Sequence, residues 1–465
     1  MAYIQSFGAA KVVTGSAHLL TLENGTRILI DCGMFQGENE KYNRDKFAFN
    51  PQEVDYLVLT HAHLDHVGRA PILFKHGFRG KIITTKTTLD LARIIMLDSA
   101  HLMQESFRLH FKKAQRRSEE HRVQLPLYTP QNVESLLTLK KKFATYDKTI
   151  NLEEGIALTF RNAGHILGSA FVEIKFKENG IEKQVVFSGD LGSTNDFVLP
   201  LPEHTRKADA LYIESTYGDR DHKGIEESIA EFKKVVLETL ANDGNVMIPS
   251  FAIERTQELL CLFKEMHLNG ELPECKIFLD SPMAIRATRV YNKHVQKLSK
   301  KCQEFEAQDG TVFDFEALEF TSTPQASKKI NEVTTKAIII SGSGMCNGGR
   351  ITHHFKHRLW NKRNAVIFVG YQAKGTLGRQ IVEGAEWIEL YHEKIKVNAS
   401  IHTINGFSAH ADQSGLITWM KAITELDKVY LIHGEEEKQV LFKEAIKVQL
   451  HKEVHIVDEE DMIDV

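Results

Sequence analysis

The hexapeptide His-Ala-His-Leu-Asp-His at residues 61–66 directly follows a run of apolar residues. Three histidines and an aspartate this close together are more metal-competent groups than an ordinary surface loop carries. A lone histidine is usually structural, and a His-x-His pair also occurs by chance. In this spacing, however, a tight turn can direct His61 and His63 at one metal ion while Asp65 and His66 face a second. The sequence therefore predicts a metal site whose other ligands come from elsewhere in the chain.

The composition is that of an ordinary globular protein, with 465 residues, of which 42% are hydrophobic and 26% charged. This length predicts two domains. A formal net charge of -4 excludes a globally basic nucleic-acid binder, so any polyanion must be held by a local patch or by metal. The first residues do not resemble a signal peptide and no apolar run reaches membrane-spanning length, which predicts a cytoplasmic protein without a membrane segment.

The first third of the chain alternates short β-branched runs with glycine turns. This pattern predicts strands at residues 11–13, 18–20, 27–30 and 81–84. Residues 87–148 are predicted to form a helical excursion. Basic clusters occur within it at residues 112–113, 116–117 and 140–142. We interpret these clusters as solvated helix faces, which is the commoner origin of such runs than an RNA track.

From residue 225 onward the pattern changes to alternating helix and strand. An apolar stripe over residues 225–240 predicts a helix, and Gly244 is placed to end it. Buried-looking strands are predicted at residues 246–249, 276–280, 337–340 and 365–369. This alternation predicts a parallel sheet with helices on its faces, which is a second α/β domain.

Metal-competent or acidic residues follow several of the predicted apolar strands. Such residues are Asp31, the 61–66 hexapeptide, Asp190, Glu214 and His433. Because strand ends in packed α/β sheets meet at one rim, these side chains are expected to lie close together. His165, between Gly164 and Gly168, can reach the same rim.

The order of these parts resembles the metallo-β-lactamase fold and, more narrowly, its β-CASP branch of nucleases. Asp31, the hexapeptide, His165 and Asp190 match the four fold motifs in order. The three branch motifs are matched by Glu214 in ESTYG, His410 in FSAHAD and His433 in LIHGE. The passages PSFAIERTQELL, SGSGMCNGGR and GYQAKGTLGR resemble the branch's signature loops. The chain is similar to relatives of the endonuclease subunit of the cleavage and polyadenylation machinery.

This resemblance implies an α/β architecture, an αββα metallo-β-lactamase sandwich interrupted by a β-CASP domain with a mainly parallel sheet. The first domain would comprise residues 1–216 and 406–465, and the insertion residues 217–405. A cleft between the domains would admit single-stranded RNA and exclude a duplex. A homodimer and a partner within a processing complex both stay open.

The resemblance also implies two Zn²⁺ ions. One ion would be held by His61, His63 and His165, the other by Asp65, His66 and His433, and Asp190 would bridge them. Nitrogen and oxygen ligands suit a hydrolytic metal. Asp31 would orient a ligand histidine.

The expected activity is zinc-dependent hydrolysis of single-stranded RNA in RNA processing or decay, which leaves a 5′ phosphate and a 3′ hydroxyl. Cleavage is expected to be endonucleolytic, and additional 5′ to 3′ exonucleolytic cleavage stays open. The departing oxygen needs a proton, and His410 is the predicted donor, with Glu214 holding its other ring nitrogen. By the same resemblance, His433 favours RNA, since DNA-processing members carry an apolar residue there.

The signature loops supply candidates for binding RNA or supporting the cleft. They are Ser250, Arg255, Gln257, Ser341, Gly342, Ser343, Gly344, Arg350, Lys374, Thr376 and Arg379. The glycine-rich loop that begins at Ser341 can present backbone N–H groups to phosphates, although it lacks the ending of a Walker A motif. His353 and His354 are expected to be exposed helix residues.

Two alternative functions stay open. A small-molecule hydrolase of the same fold, acting on a thioester or lactam, needs the metals but not Glu214, His410 or the large insertion. A non-catalytic RNA-binding scaffold would have lost metal ligands, and none is missing from this sequence.

Overall fold

The computed structural model describes residues 1–153, 155–195, 197–373, 375–459 and 461–465. The chain divides into two compact units. Unit 1 comprises residues 1–194, 201–221 and 410–465, and unit 2 comprises residues 195–200 and 222–409.

Strands and helices alternate along most of the chain. In chain order the strands are β1 (Tyr3–Ser6), β2 (His18–Thr21), β3 (Arg27–Ile30), β4 (Tyr56–Val58), β5 (Lys81–Thr85), β6 (Lys141–Ala144), β7 (Thr149–Glu153), β8 (Ile156–Asn162), β9 (Ala170–Glu178), β10 (Ile181–Phe187), β11 (Lys207–Glu214), β12 (Val246–Pro249), β13 (Lys276–Asp280), β14 (Leu318–Phe320), β15 (Ala337–Ser341), β16 (Ala365–Phe368), β17 (Trp387–Leu390), β18 (Glu393–Lys396), β19 (Ser400–Thr403), β20 (Glu425–Ile432), β21 (Val454–Ile456) and β22 (Met462–Asp464). The α-helices are α1 (Leu64–Val67), α2 (Ala70–Lys75), α3 (Lys86–Gln115), α4 (Pro130–Leu136), α5 (Ile225–Ala241), α6 (Arg255–Leu268), α7 (Pro282–Lys293), α8 (Lys300–Asp309), α9 (Pro324–Lys329), α10 (Arg350–Arg358), α11 (Leu377–Val382), α12 (Gln413–Lys421) and α13 (Glu436–Leu450).

Unit 1 is built from two sheets. The strand order is β22-β1-β2-β3-β4-β5-β6 in the first sheet and β21-β20-β11-β10-β9-β8-β7 in the second. One apolar core joins them, with Ile28 and Val58 from the first sheet and Phe160 and Val172 from the second. Helices α12 and α13 cover the other face of the second sheet, and α3 packs along β5 of the first. The predicted fold class, a sandwich of two sheets with outer helices, is confirmed.

Parallel pairing in unit 1 brings the ends of distant strands together. In the first sheet β3 runs parallel to β4, and in the second sheet β10, β11 and β20 run parallel to one another. The strands that precede the predicted ligands therefore end at shared sheet edges.

Unit 2 contains a parallel sheet with strand order β14-β13-β15-β12-β16-β19. Helix α6 is buried along almost its whole length. A separate antiparallel hairpin consists of β17 and β18. The predicted second α/β fold with a parallel sheet is confirmed.

Three local predictions are wrong. Residues 11–13 form bends rather than a strand, because Ala9 (φ 50°) and Lys11 (φ 42°) adopt left-handed backbone conformations. The predicted helical excursion ends earlier than residue 148, since Lys141 and Lys142 lie on the edge strand β6, where lysines are common. His354 is buried rather than exposed, whereas His353 is exposed as expected.

The helices of the described residues lack the combination of length and apolar character that a membrane span requires.

Candidate metal centre

The loop after β3 and the segment before β2 both pack against the hexapeptide. The backbone N–H of Cys32 donates to the carbonyl of His66 at 2.8 Å, and that of Ser16 donates to the carbonyl of Asp65 at 2.9 Å. A Cβ atom on Gly33 would lie 1.5 Å from the Asp65 carbonyl oxygen. Only glycine therefore allows the two segments to approach this closely.

The hexapeptide divides its ligands between a loop and a helical turn. His61 and His63 precede helix α1, with His63 at the N-cap in an extended conformation. Asp65 and His66 lie on the helix itself. The two pairs consequently point to two different groups of partners.

Asp31 orients one of these histidines. Its Oδ1 accepts a hydrogen bond from the Thr60 backbone N–H at 2.8 Å, and its Oδ2 accepts from the Thr60 hydroxyl at 2.7 Å. The same Oδ2 accepts from His66 Nδ1 at 2.8 Å. Since Nδ1 is occupied in this way, His66 presents Nε2 to the centre of the site.

Asp190, which follows β10, lies between two groups of ligands. Its Oδ2 is 3.3 Å from His61 Nε2 and 3.5 Å from His165 Nε2. Its Oδ1 is 3.3 Å from His66 Nε2 and 3.7 Å from His433 Nε2. Each carboxylate oxygen thus faces a different pair of histidines.

The remaining predicted ligands complete the two groups. His63 Nδ1 lies 3.1 Å from His165 Nε2. On the other side, His433 Nε2 is 3.1 Å from His66 Nε2 and 3.5 Å from Asp65 Oδ2. Within each group the candidate ligand atoms lie within 4.8 Å of one another.

The donor atoms of this cluster fit a metal ion. His61 Nε2 and Asp190 Oδ1 are buried and have no hydrogen-bond partner among the described residues, an arrangement that is costly unless a ligand satisfies them. Burial lowers the pKa of His61 and His165, and lowers that of His63 to about 3, so these rings are neutral and can donate lone pairs. The pKa of His66 is raised, because the carboxylates of Asp190 and Asp31 outweigh its burial, and a cation would replace that proton.

His410 and Glu214 form a pair beside the cluster. Glu214, at the end of β11, is fully buried, and its Oε1 accepts from the Leu191 backbone N–H at 2.6 Å. Its two oxygens lie 3.2 and 3.1 Å from His410 Nδ1, and Asp190 Oδ2 is 4.0 Å from the same nitrogen. Burial lowers the pKa of His410, but Glu214 outweighs it and raises the pKa to about 9. Because 21% of the His410 side chain is exposed, this pair combines a protonated ring with access to solvent.

Two functional neighbours were missed in the sequence. Thr60 anchors Asp31, as described above, and Thr216 Oγ1 lies 3.1 Å from His433 Nδ1. Each threonine is within two residues of a predicted site residue, Thr60 before His61 and Thr216 after Glu214. That adjacency was the available signal, since ligand histidines need a partner on their second nitrogen.

Several predicted RNA-binding residues of unit 2 are buried. Ser250 Oγ is 3.0 Å from Thr256 Oγ1, and Ser341 Oγ donates to the Asp280 carbonyl at 2.9 Å. Gln257 Nε2 donates to Thr288 Oγ1 at 2.8 Å, and its side chain is inaccessible to solvent. In this structure these side chains support the signature loops from within.

The predicted cations of unit 2 differ in their surroundings. Arg255 is buried and forms an ion pair with Glu258. The Arg350 guanidinium donates to Asp280 Oδ1 and to the Thr321 carbonyl, both at 2.7 Å. Arg379 is partly exposed and donates to Glu383 at 2.7 Å.

The other candidates lie at loop and helix ends. Thr376 is the N-cap of α11, and its hydroxyl accepts from the Arg379 backbone N–H at 3.2 Å. Gly342, Ser343 and Gly344 begin the loop between β15 and α10. Lys374 lies outside the described residues.

Comparisons with known proteins agree with this fold and site. Family models match residues 10–95 (metallo-beta-lactamase superfamily), residues 256–381 (Beta-Casp domain) and residues 394–457 (Zn-dependent metallo-hydrolase RNA specificity domain). A protein of Thermus thermophilus named ribonuclease TTHA0252 is 41% identical over 436 residues, which are 94% of each chain. Proteins named transcription termination factor FttA are 30% identical in Methanocaldococcus jannaschii, over 97% of this chain and 70% of theirs, and 32% identical in Methanococcus maripaludis, over 92% and 67%.

The fold and the histidine–aspartate cluster define a metal-binding hydrolase of the metallo-β-lactamase superfamily. Within it, the chain belongs to the β-CASP family. The resemblance predicted from the motifs is therefore confirmed.

Proposed function

We propose that this chain is a metal-dependent ribonuclease that hydrolyses phosphodiester bonds of single-stranded RNA and leaves a 5′ phosphate and a 3′ hydroxyl. The observation that carries the proposal is the position of the His410–Glu214 pair directly beside the Asp190 cluster. The similarity to a protein named as a ribonuclease and the match to an RNA specificity domain support RNA as the substrate.

Two Zn²⁺ ions are proposed as the cofactors. His61, His63 and His165 would hold one, Asp65, His66 and His433 would hold the other, and Asp190 would contact both. The division of the two Asp190 oxygens between different histidine pairs supports a shared ligand. When bound, such ions would polarise a phosphate group and lower the pKa of a metal-bound water, so that hydroxide is available at neutral pH.

His410 is proposed to protonate the leaving group. Glu214 accepts a hydrogen bond from Nδ1 and so fixes the orientation of the ring, and Nε2 is the nitrogen that would carry the transferable proton. When water adds to phosphorus and the bond to the 3′ oxygen breaks, this proton would pass to that oxygen and give the 3′ hydroxyl. Glu214 would then stabilise the position and orientation of the ring rather than take part in the transfer.

The proposed domain boundaries follow the family resemblance, with residues 217–405 as the inserted β-CASP domain and residues 406–465 completing the first domain. We also propose that cleavage is internal and, at a free 5′ end, exonucleolytic. RNA carrying a label or a block at its 5′ end distinguishes these modes, because a blocked end leaves only internal cuts.

The small-molecule hydrolase is the second candidate. It requires neither Glu214 nor His410, yet this chain holds His410 in a fixed orientation against the buried carboxylate of Glu214. The scaffold alternative is opposed by the presence of every predicted ligand around Asp190.

The test compares His410→Ala with the wild type on single-stranded RNA, with zinc loaded. We expect kcat to fall by about 10²–10⁴ while zinc content stays unchanged. His455→Ala is the matched control, because His455 also pairs with a carboxylate, Asp461 Oδ2 at 2.8 Å, but is half-exposed on β21. Intact RNA with the wild type, or equal rates with His410→Ala, would contradict the proposal.

A further inference from the structure

The two halves of helix α3 in unit 1 have different environments. All eight buried residues of this helix lie between Thr87 and Ala100. From His101 to Gln115, all of which the structure describes, every residue is half-buried or exposed. The second half of the helix therefore projects from the sandwich.

Five cations occupy this projecting half and the turn after it, where the single carboxylate up to residue 117 is Glu105. They are Arg108, Lys112, Lys113, Arg116 and Arg117, and all are exposed. Residues 108, 112 and 116 follow one another at intervals of four and so form a row along the helix, with a charge about every 6 Å. Lys113 and Arg117 continue a second row beside it.

None of these cations has a carboxylate partner among the described residues. The first half of the same helix differs, because Lys86 pairs with Asp90 and Arg93 Nη2 lies 2.6 Å from Glu134 Oε1. A solvated helix face usually carries compensating charge, as that half does. Uncompensated charge in a chain whose formal net charge is -4 is better explained by a surface for a polyanion than by the solvated helix face that the sequence alone favours.

The rest of the projecting surface suits a single strand. Leu102 and Leu109 are 60% and 62% exposed and lie on the same face as the cations. Phe107 and Phe111, with ring centroids 5.5 Å apart, lie on the opposite, half-buried side. Phosphates can follow the charged rows, while unstacked bases stack on the planar guanidinium groups of the arginines. The exposed leucines offer an apolar surface beside them.

We propose that the cation rows of α3, residues 108–117, bind the backbone of single-stranded RNA outside the metal centre and so hold long substrates. This inference rests on the proposed function for its choice of polyanion. It assigns to the surface the role of an anchoring site, which contributes to the affinity for long RNA and leaves the chemical step unchanged.

The test neutralises all five cations to glutamine, which preserves helix propensity. The matched control neutralises five exposed cations of unit 1 that also lack ion pairs among the described residues: Lys148, Lys175, Lys177, Lys421 and Lys428. Both sets are placed in zinc-loaded His410→Ala protein so that RNA stays intact. Binding is measured by fluorescence anisotropy on RNA of about 40 nucleotides and of about 6, the shorter one within the size of a single-strand site.

For the long RNA we expect the slope of log affinity against log salt to become shallower by up to about 3.5, since each single-strand phosphate contact contributes about 0.7. The short RNA should bind equally to the glutamine variant and its background. In the otherwise wild-type enzyme, KM for long RNA should rise while kcat for short RNA is unchanged.

Equal slopes in variant and control would overturn the inference. So would a change of molar mass in sedimentation without a change in RNA binding, which would assign the surface to a protein contact. These outcomes are distinct from failure of the proposed function, which would appear as wild-type protein that cuts neither RNA.

Discussion

Asp190 in unit 1 and Asp280 in unit 2 are both buried carboxylates at strand ends, yet their surroundings are opposite. Among the described residues, the Asp280 carboxylate accepts four side-chain hydrogen bonds at 2.7 Å, from Arg350 Nη1, Thr321 Oγ1, Ser327 Oγ and His354 Nε2. Asp190 Oδ1 has no hydrogen-bond partner in the described part of the chain and faces ring nitrogens instead.

The difference shows what turns a strand-end carboxylate into a metal ligand. Burial raises the pKa of Asp280, but hydrogen bonds from His354, Ser327 and Thr321 outweigh it and lower the pKa to about 2. Its charge is thus fully satisfied by protein donors. Beside Asp190, the neutral imidazoles of His61, His63 and His165 offer lone pairs rather than protons, so a cation is the partner that satisfies both. Asp280 consequently stabilises the packing of unit 2, whereas Asp190 can bind a metal ion.

The largest expected effect comes from the same substitution at both positions. Asp190→Asn should lose bound zinc and reduce RNA cleavage to the level of chelator-treated protein, because it removes the negative charge of the carboxylate whose two oxygens face the two histidine groups. Asp280→Asn should retain the zinc content of the wild type. Plasma mass spectrometry on dialysed protein measures the metal, and equal retention by both variants would break the comparison.

Asp280→Asn should instead destabilise unit 2. Loss of the charge leaves Arg350 without its buried partner, which costs about 3–5 kcal/mol in comparable pairs. Trp360 and Trp387 lie in unit 2 and Trp419 in unit 1, so urea unfolding of a Trp419→Phe background follows unit 2 by fluorescence. An unchanged urea midpoint would show that the charge of Asp280 makes no net contribution to the free energy of unfolding of unit 2.

Removal of metal should have the complementary effect on unit 1. At zinc concentrations about a thousand times Kd, binding stabilises the folded state by about 4 kcal/mol. Chelation should therefore lower the unfolding midpoint reported by Trp419 in a background with Trp360→Phe and Trp387→Phe. If the unit 2 tryptophans shifted equally, the metal contribution would not be specific to the Asp190 cluster.

The smallest of these effects is expected at Asp31. Asp31→Asn weakens the hydrogen bond that orients His66, and substitutions of this kind reduce metal affinity by about 10–100-fold. Competition with a chromophoric chelator measures the zinc Kd directly. Asp31 contacts the proposed ligand His66 rather than the metal position itself. Zinc at saturating concentration should therefore restore most of the RNA cleavage by Asp31→Asn, whereas it should not restore cleavage by Asp190→Asn.

The metal centre could be predicted more fully than its surroundings. Its ligands follow apolar strands, and strand ends in parallel sheets converge, so sequence order alone grouped Asp190 with His433. The pairing of His354 with Asp280 depends on the rotation of α10 about its axis and on the packing of a helix against a strand 74 residues away. Neither leaves a periodic signal in the sequence. The helical prediction for Lys141 and Lys142 is wrong because their place at a sheet edge depends on pairing with β5, which is distant in the sequence.

The close approach at Gly33 also limits how this chain can be recombined with relatives. The space above Gly33 is filled by the Asp65 carbonyl and by the backbone nitrogen of Ser16, which a Cβ atom would meet at 1.5 and 2.8 Å. The segments around Ser16, Gly33 and the hexapeptide are therefore a single interlocking piece drawn from three places in the sequence. A chimera that places any residue other than glycine at position 33 would displace the turn that carries Asp65 and His66, so glycine must be kept there whichever segments are exchanged.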